Sequence, residues 1–253
     1  MEAKVYFIGA GPGNPELITL KGHRMIGEAD VIIYAGSLVN PEVLANRKSS
    51  AVVHNSAEMN LEEIIGTIQR AHLKGLSVAR VHTGDPSIYG SIREQIEELD
   101  KLGIGYEVVP GVSSFTAAAS VLCKEFTVPE ISQTVICTRF EGRTPVPELE
   151  RMELLASHQT SMAIFLSVQM IGDLVAQLTK HYPITTPIAV IEKATWADER
   201  VVRGTLADIA EKIATAGIKK TAMILVGQFL GSEYNNSKLY AADFSHEFRD
   251  ATL

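Results

Sequence analysis

The feature that most constrains the fold of this 253-residue chain is a regular alternation of short apolar segments with longer segments that are apolar on one face. The short segments have the length and the Val/Ile content of strands, and the longer ones have the spacing of amphipathic helices. This alternation predicts parallel or mixed sheets covered by helices, which is the α/β class. In the first half of the chain, strands are predicted at residues 5–8, 31–34, 78–81 and 106–109, and helices at 19–29, 61–73, 88–102 and 113–122.

A second set of alternating segments follows an interruption. Residues 125–132 contain Pro129 and show no clear periodicity, so we place a linker there. The sequence therefore predicts two α/β domains, residues 1–124 and 125–231, followed by a polar, irregular tail at 232–253. In the second domain, strands are predicted at residues 134–138, 162–166, 188–191, 201–204 and 222–226, and helices at 147–156, 170–178 and 207–216.

Charge and composition exclude several classes of protein. The net charge of −7 disfavours general binding to nucleic acid. No apolar run reaches the roughly 18 residues that a membrane span needs, and the beginning of the chain lacks the apolar stretch of a signal peptide. Cys123 and Cys137 have no metal-binding spacing and read as reduced thiols. We therefore expect a cytoplasmic protein that binds neither a metal, nor nucleic acid, nor a membrane.

The first predicted strand ends in a glycine-rich loop. A dinucleotide-binding loop would have the pattern Gly-x-Gly-x-x-Gly, with backbone N–H groups that meet a pyrophosphate. Here Asn14 occupies the position of the third glycine, and Pro12 and Pro15 each remove a backbone donor. The loop suits an uncharged or cationic ligand better than a diphosphate, although NAD(P) binding and a tight turn without a ligand stay open. Its sequence is Gly9-Ala-Gly11-Pro12-Gly13-Asn14-Pro15.

A second loop carries the side chains best suited to chemistry. It follows the predicted strand 78–81, and open α/β sheets bind their ligands at the carboxyl ends of strands. Asp85 could bind a donor group of a ligand, or simply form a turn before a proline. His82 could bind a carboxylate or transfer a proton, or bond to the backbone, and Tyr89 could border a ligand or pack in the core. These three residues are the candidate catalytic residues.

Three segments together resemble a known family. They occur in the order and at the spacing that are found in the tetrapyrrole methyltransferases, which use S-adenosylmethionine, and the resemblance extends to about residue 231. The segments are Gly9-Ala-Gly11-Pro12-Gly13, then Thr83-Gly84-Asp85-Pro86 with Tyr89-Gly90, then Val109-Pro110-Gly111-Val112-Ser113-Ser114.

The resemblance implies a fold and an activity. It implies two α/β domains, each with a largely five-stranded sheet, an active-site cleft between them, and a homodimer. S-adenosyl-L-methionine would be the methyl donor and S-adenosyl-L-homocysteine the product. Within the family, the chain is most similar to members that methylate precorrin-4 or cobalt-precorrin-4 at ring carbon 11 in cobalamin biosynthesis. The segments on which this similarity rests are Arg80-Val-His82-Thr-Gly-Asp-Pro86, Thr138-Arg-Phe-Glu-Gly-Arg-Thr-Pro-Val-Pro-Glu148, Lys193-Ala-Thr-Trp196 and Leu239-Tyr-Ala-Ala-Asp-Phe-Ser-His-Glu-Phe-Arg249.

The resemblance also implies site residues. A tetrapyrrole substrate carries several carboxylates, and Arg binds carboxylates bidentately. The substrate contacts would be Arg139, Arg143, Lys193 and Trp196. The two arginines could instead belong to a solvated, charged loop, and Trp196 could be ordinary interface packing. Where relatives often carry Met and Gly, this chain has Leu166 and Ala194, so Ala194 adds a methyl group beside the cofactor. The cofactor contacts would be Pro12, Thr83, Gly84, Asp85, Ile88, Ser113, Ser114, Leu166, Ala194, Ala222 and Met223.

Three alternative functions stay open at this point. One is another precorrin or uroporphyrinogen III methylation step. Another is an NAD(P)-dependent oxidoreductase, which rests on the first glycine-rich loop alone. The third is a carrier that binds a tetrapyrrole without turnover. The sequence identifies neither a general base nor whether the substrate already contains cobalt.

Overall fold

The structure, a computed structural model, describes residues 4–142, 144–233 and 235–252. These residues form two compact units. The first contains the described residues up to Ala117 together with Lys193–Glu199, and the second contains Ala118–Glu192 and the residues from Arg200 onward. The segment Lys193–Glu199 thus belongs to the first unit although it lies late in the chain, which the sequence did not predict. The predicted domain boundaries at residues 124 and 231 stay predictions.

The first unit is built on a parallel sheet of five strands with the order β3-β2-β4-β1-β5. Its strands are β1 (Val5–Gly9), β2 (Val31–Tyr34), β3 (Val52–Asn55), β4 (Val78–His82) and β5 (Tyr106–Val109). Its helices are α1 (Leu20–Glu28), α2 (Leu61–His72), α3 (Ile92–Lys101) and the beginning of α4 (Ser114–Val121).

Both faces of this sheet are buried, as expected for parallel strands covered by helices. Successive side chains of β1 point to opposite faces, so Ile8 packs in one core with Met25 of α1, and Phe7 packs in the other with Ile68 of α2 and Leu99 of α3. Helix α2 begins with a capping box, in which the Asn60 side chain accepts from the Glu63 N–H and the Glu63 carboxylate accepts from the Asn60 N–H. The alternation read from the sequence therefore reflects burial on two sides.

The second unit contains a mixed sheet with the order β6-β7-β10-β8-β9. Strands β6 and β7 are parallel, whereas β10 is antiparallel to both β7 and β8, and β9 is antiparallel to β8. The predicted α/β class with two five-stranded sheets is confirmed. The strands are β6 (Val135–Arg139), β7 (Ser161–Phe165), β8 (Pro187–Glu192), β9 (Arg200–Thr205) and β10 (Ala222–Val226), and the helices are α5 (Met152–Ala156), α6 (Ile171–Leu178) and α7 (Ile209–Ala216).

Three elements differ from the sequence prediction. Strand β3 was not predicted, because this edge strand exposes half of Val52 and lacks a continuous apolar pattern. Helix α3 begins four residues later than predicted, since Tyr89 and Ser91 have left-handed backbones that cannot continue a helix. The predicted helix at 147–156 is shortened to α5, because the extended backbone of Arg151 separates it from a 3₁₀ turn at Glu148–Glu150.

At the carboxyl edge of the first sheet, three segments meet backbone to backbone. Gly84 N donates to Gly11 O at 2.8 Å, and Gly11 N donates to Gly84 O at 3.3 Å. A Cβ atom added to Gly111 would lie 2.1 Å from Gly84 O, and one added to Gly9 would lie 2.5 Å from the same oxygen. These glycines are required because the backbones leave no space for a side chain.

This contact predicts a large difference between two glycine substitutions. Gly111→Ala should lower the free energy of unfolding by about 3 kcal/mol, because rigid backbone opposes the added methyl group. Gly172→Ala should instead raise it by about 1 kcal/mol, since Gly172 lies in α6 with nothing within 4 Å of an added Cβ. Urea denaturation of both variants measures the difference, and equal stabilities would contradict the backbone contact.

Candidate functional site

Most of the predicted site residues of the first unit lie in loops at one edge of its sheet. Strand β1 lies between β4 and β5 in a parallel sheet, so the loops that follow these three strands are neighbours. They are the first glycine loop (residues 9–15), the second loop (residues 83–91) and the third loop (residues 110–113). Open α/β sheets bind ligands at this edge. The loops carry Pro12, Thr83, Gly84, Asp85, Ile88, Tyr89 and Ser113, and Ser114 follows as the first residue of α4.

The Asp85 carboxylate connects two of these loops. One oxygen accepts hydrogen bonds from the Ser87 N–H, at 2.8 Å, and from the Ser87 hydroxyl. The other accepts from Gly111 N, at 2.9 Å, in the third loop. Partial burial raises the pKa of Asp85, but the hydrogen bonds from Ser87 and Gly111 outweigh it, so the pKa lies below its ordinary value. The carboxylate is ionised at neutral pH and holds the second and third loops together.

The Gly84 backbone lies beside the beginning of α4. Gly84 has a left-handed backbone, with φ of 60°, and an added Cβ would lie 3.6 Å from both Ser113 Cα and Ser114 N. Ser113 is buried, whereas the side chain of Thr83 is exposed. The structure thus brings Thr83, Gly84, Ser113 and Ser114 into one small region, as the resemblance implies.

Tyr89 is placed on the surface of the first unit and not in its core. Tyr89 is 47% exposed, and its backbone is left-handed with φ of 54°. Such a conformation costs about 1 kcal/mol or more in a residue with a side chain, and it is often found at functional sites. A phenol held in this way can border a ligand, so this candidate role stays a prediction.

His82, in contrast, is buried at the end of β4. Its ring centroid lies 6.0 Å from that of Phe7, and its Nε2 is buried with no hydrogen-bond partner. Burial, together with the positive charge of Arg80, lowers the pKa of His82 to about 3. The imidazole is therefore neutral at pH 7 and supplies no positive charge for a substrate carboxylate. Its proposed part in proton transfer stays a prediction.

Arg80 is a buried cation on the same face of β4. It is 5% exposed, and burial lowers its pKa to about 10, so it stays protonated. Its Nε donates to Gln95 Oε1 at 3.0 Å, and its Nη1 donates to Ile33 O at 3.3 Å. The guanidinium thus connects α3 and β2 beneath the second loop.

The predicted residues of the second unit lie at one edge of its own sheet. Leu166 directly follows β7, and Ala222 and Met223 begin β10. These two strands are antiparallel, with Ile164 opposite Ile224, so the end of β7 lies beside the beginning of β10. Arg139, the last residue of β6, is opposite Phe165 at the same edge. The structure therefore brings Arg139, Leu166, Ala222 and Met223 together.

Leu166 has two unusual properties. It is 69% exposed, and it has a left-handed backbone with φ of 56°. An exposed leucine in a strained conformation at a sheet edge is typical of a residue that contacts a ligand. By comparison, Met223 is buried and Ala222 is half-buried.

Arg139, one of the two predicted arginines, is bonded to the loop that follows β6. Arg139 Nη1 donates to Thr144 O at 3.1 Å, and its Nη2 donates to Pro145 O at 2.6 Å. These bonds use two of the five N–H donors of the guanidinium and close the loop after β6. Arg143 lies outside the described residues.

The segment Lys193–Glu199, named the Trp196 turn, lies against the first glycine loop within the first unit. Trp196 Nε1 donates to Pro12 O at 2.9 Å, and Ala194 is buried. Lys193 forms an ion pair with Asp198, and its ammonium lies 5.7 Å from the centroid of the Trp196 ring. The sequence did not predict this contact, because no local pattern connects residues that are 184 positions apart.

Asn40 is a further residue that sequence reasoning missed. Its Nδ2 donates to Gly13 O at 2.9 Å and supports the first glycine loop.

Within residues 4–142, 144–233 and 235–252, no group of three His, Cys, Asp or Glu side chains could hold a metal ion. No helix in the same ranges is long and apolar enough to cross a membrane. Cys123 and Cys137 are unpaired and exposed.

The burial of His82 predicts a specific dependence of stability on pH. The unfolded chain binds a proton at His82 near pH 6.5 and the folded chain only near pH 3, so stability falls as the pH decreases through this window. Between pH 7 and pH 5, His82 should account for about 2 kcal/mol of lost stability. Urea denaturation at both pH values measures it. His82→Gln is the control, and its free energy of unfolding should decrease less between pH 7 and pH 5 than that of the wild type. An equal decrease in both proteins would refute the buried neutral imidazole.

Comparison with known proteins identifies the family of this chain. The model of the family Tetrapyrrole (Corrin/Porphyrin) Methylases matches residues 4–210. A cobalt-precorrin-4 C(11)-methyltransferase of Methanocaldococcus jannaschii is 58% identical over 248 residues, which are 97% of this chain and 96% of the relative. A precorrin-4 C(11)-methyltransferase of Pseudomonas aeruginosa is 50% identical over 246 residues, which are 97% of this chain and 98% of the relative.

Solved structures give the same result. The X-ray structure of a cobalamin biosynthetic enzyme, cobalt precorrin-4 methyltransferase, is similar with a TM-score of 0.88 and 46% identity, over 90% of this chain and 96% of that chain. Uroporphyrin-III C-methyl transferase from Thermus thermophilus, complexed with S-adenyl homocysteine, has a TM-score of 0.72 and 26% identity, over 90% of this chain and 93% of that chain. The family expected from the three loops is confirmed. The chain belongs to the tetrapyrrole (corrin/porphyrin) methylases.

Proposed function

We propose that this protein transfers a methyl group from S-adenosylmethionine to ring carbon 11 of precorrin-4 or cobalt-precorrin-4, in cobalamin biosynthesis. The observation that carries the proposal is the identity of 58% and 50%, over nearly the whole chain, to two enzymes named for this reaction. A uroporphyrinogen-III C-methyltransferase of Priestia megaterium is 36% identical, less than either C(11) enzyme, which favours the C(11) step over that sister step. The function expected from the sequence agrees with these names.

The first unit offers a site of suitable chemistry for the methyl donor. A related structure contains S-adenyl homocysteine, which supports the use of this cofactor. The residues proposed to hold it are those of the three loops, with Ala194. These loops present backbone carbonyls and the ionised Asp85, which suit a cationic sulfonium and an amine. When bound, S-adenosylmethionine supplies a methyl group on an electron-poor sulfur.

The same loops argue against NAD(P). A dinucleotide site needs backbone N–H groups directed at a pyrophosphate. Here Gly11 N and Gly84 N are bonded to each other's carbonyls, Asn14 N is bonded to Thr195 Oγ1, and Pro12 has no N–H. Most of the N–H groups that an oxidoreductase of this class would use are therefore not available in the first glycine loop.

Methyl transfer requires little from the protein beyond position. An electron pair of the ring carbon forms the new bond as the carbon–sulfur bond breaks, and the electron pair of that bond remains on the thioether product. The site must hold the two reactants at about 3–3.5 Å and exclude water. This fits loops that are fixed by backbone contacts and a neutral, buried His82.

We propose that cationic side chains bind the carboxylates of the macrocycle. Arg139, Arg143 and Lys193 are the residues proposed to contact it, and Leu166, Ala222 and Met223 of the second unit are proposed to contact the cofactor. Arg139 keeps N–H donors beyond the two used within its own loop, so it can still bind a carboxylate.

The proposal also includes the cellular form of the enzyme. We expect a cytoplasmic homodimer, without a nucleic-acid or membrane partner. The two exposed, unpaired thiols support a protein of a reducing compartment. The net charge of −7 disfavours a nucleic-acid partner.

The test of the reaction is an assay with methyl-labelled cofactor. The protein is incubated with ¹³C-methyl S-adenosylmethionine and with either precorrin-4 or cobalt-precorrin-4. We expect ¹³C at ring carbon 11, together with an equal amount of S-adenosylhomocysteine, because one methyl group is transferred per turnover. Carbon NMR and chromatography measure the two products. Label at another carbon would indicate a sister step, and macrocycle binding without any S-adenosylhomocysteine would indicate a carrier.

A second test concerns Asp85. Asp85→Asn should raise the dissociation constant of S-adenosylhomocysteine by about tenfold or more, since an amide can no longer accept from both Ser87 and Gly111. Ser87→Ala is the matched control. It keeps the bond to Gly111 and should change the constant by about threefold or less. Calorimetric titration compares the variants, and an unchanged affinity in Asp85→Asn would remove this residue from the site.

A further inference from the structure

The Trp196 turn is a compact structure that is held by its own bonds. Trp196 N donates to Lys193 O at 2.9 Å, and Glu199 N donates to Trp196 O at 3.1 Å. The Glu199 carboxylate accepts from Thr195 N at 2.6 Å. Lys193 and Thr195 both have left-handed backbones, with φ of 49° and 70°. Two strained residues separated only by Ala194 indicate that surrounding contacts fix this conformation.

Those contacts are made to the first glycine loop. Trp196 Nε1 donates to Pro12 O at 2.9 Å, and Thr195 Oγ1 accepts from Asn14 N at 3.0 Å. The turn therefore bonds to the loop at two positions, on either side of Gly13. A loop with two prolines has few N–H groups with which to stabilise itself, so these bonds from a distant segment fix its conformation.

Gly13 lies directly against the indole ring. A Cβ atom added to Gly13 would lie 2.0 Å from Trp196 Cδ1 and 2.2 Å from Nε1. Any other residue at this position would displace the ring and break its bond to Pro12. This explains why the third glycine of the loop stands one position too early for a dinucleotide pattern: it makes room for a tryptophan.

We propose that Trp196 is a positioning residue, which holds the first glycine loop in the conformation that binds the methyl donor. It acts through the Pro12 carbonyl and Gly13. The inference rests on the proposed function, because it takes S-adenosylmethionine as the ligand of this loop. It differs from a role in binding the macrocycle, since the indole N–H is already used on the loop.

The test measures cofactor affinity in five variants, of which one is a double variant. Trp196→Phe keeps an aromatic ring but loses the N–H, and should raise the dissociation constant of S-adenosylhomocysteine by about threefold to tenfold. Gly13→Ala should raise it by at least as much. In a Trp196→Ala background, Gly13→Ala should add less than about twofold, because the ring that it displaces is gone. Gly105→Ala is the control, since its added Cβ would meet only the Lys4 side chain at 3.7 Å.

Two further measurements separate positioning from other roles. The Michaelis constant for S-adenosylmethionine should rise in Trp196→Phe, while that for the macrocycle stays unchanged. Trp196 is the only tryptophan of the chain, so its fluorescence reports on the contact without any ligand. Gly13→Ala should shift the emission to longer wavelength as the indole becomes more exposed, and Gly105→Ala should not.

The outcomes are distinguishable. Unchanged cofactor affinity in both Trp196→Phe and Gly13→Ala, or additive effects of Gly13→Ala and Trp196→Ala, would overturn the inference. A rise in the macrocycle Michaelis constant alone would assign Trp196 to the substrate and overturn it as well. Wild-type protein that does not bind S-adenosylhomocysteine would overturn the proposed function. In that case an emission shift in Gly13→Ala would still support the contact, and its absence would refute it.

Discussion

At the carboxyl edge of the first sheet, the backbones of Gly9, Gly84 and Gly111 lie so close together that no side chain fits between them. This contact determines the positions of the loops that follow β1, β4 and β5, because each loop begins or continues from one of these glycines. The Asp85 carboxylate adds a bond between the second and third loops. The candidate site thus rests mainly on contacts between main-chain atoms. A reaction that depends chiefly on placing two carbon-bearing groups at bonding distance is well served by such a frame.

The close contact between these glycine backbones distinguishes this fold from α/β proteins whose glycine-rich loops bind dinucleotides. In a dinucleotide-binding loop, glycines leave N–H groups directed at phosphate. Here the glycines serve contacts inside the protein, with Gly11 bonded to Gly84 and Gly13 beneath an indole ring. A glycine pattern therefore has to be interpreted together with the backbone N–H groups that are available to a ligand. In this chain, internal bonds and prolines leave few such groups in the first glycine loop.

Sequence reasoning predicted the buried elements well, because burial on two faces leaves a clear apolar pattern. Strands β2 and β5 have the predicted bounds, and β1 and β4 differ by one residue. It missed β3, whose exposed edge weakens that pattern, and it began α3 too early, because the left-handed backbones of Tyr89 and Ser91 leave no mark in hydrophobicity. The motifs located the loops of the site. They could not reveal that His82 is buried and neutral, or that Trp196 bonds to Pro12, since both depend on contacts between residues far apart in the chain.

The position of the Trp196 turn has a consequence for the order in which the newly made chain can mature. On the ribosome, Pro12 emerges long before Trp196, and translation at roughly 5–20 residues per second separates the two by about 10–40 seconds. During that interval the nascent first sheet can assemble, but its glycine loop has no indole to bond. The first glycine loop can therefore reach its bonded conformation only after most of the polypeptide has been synthesised, and a shorter translation product would lack the bond between Trp196 and Pro12.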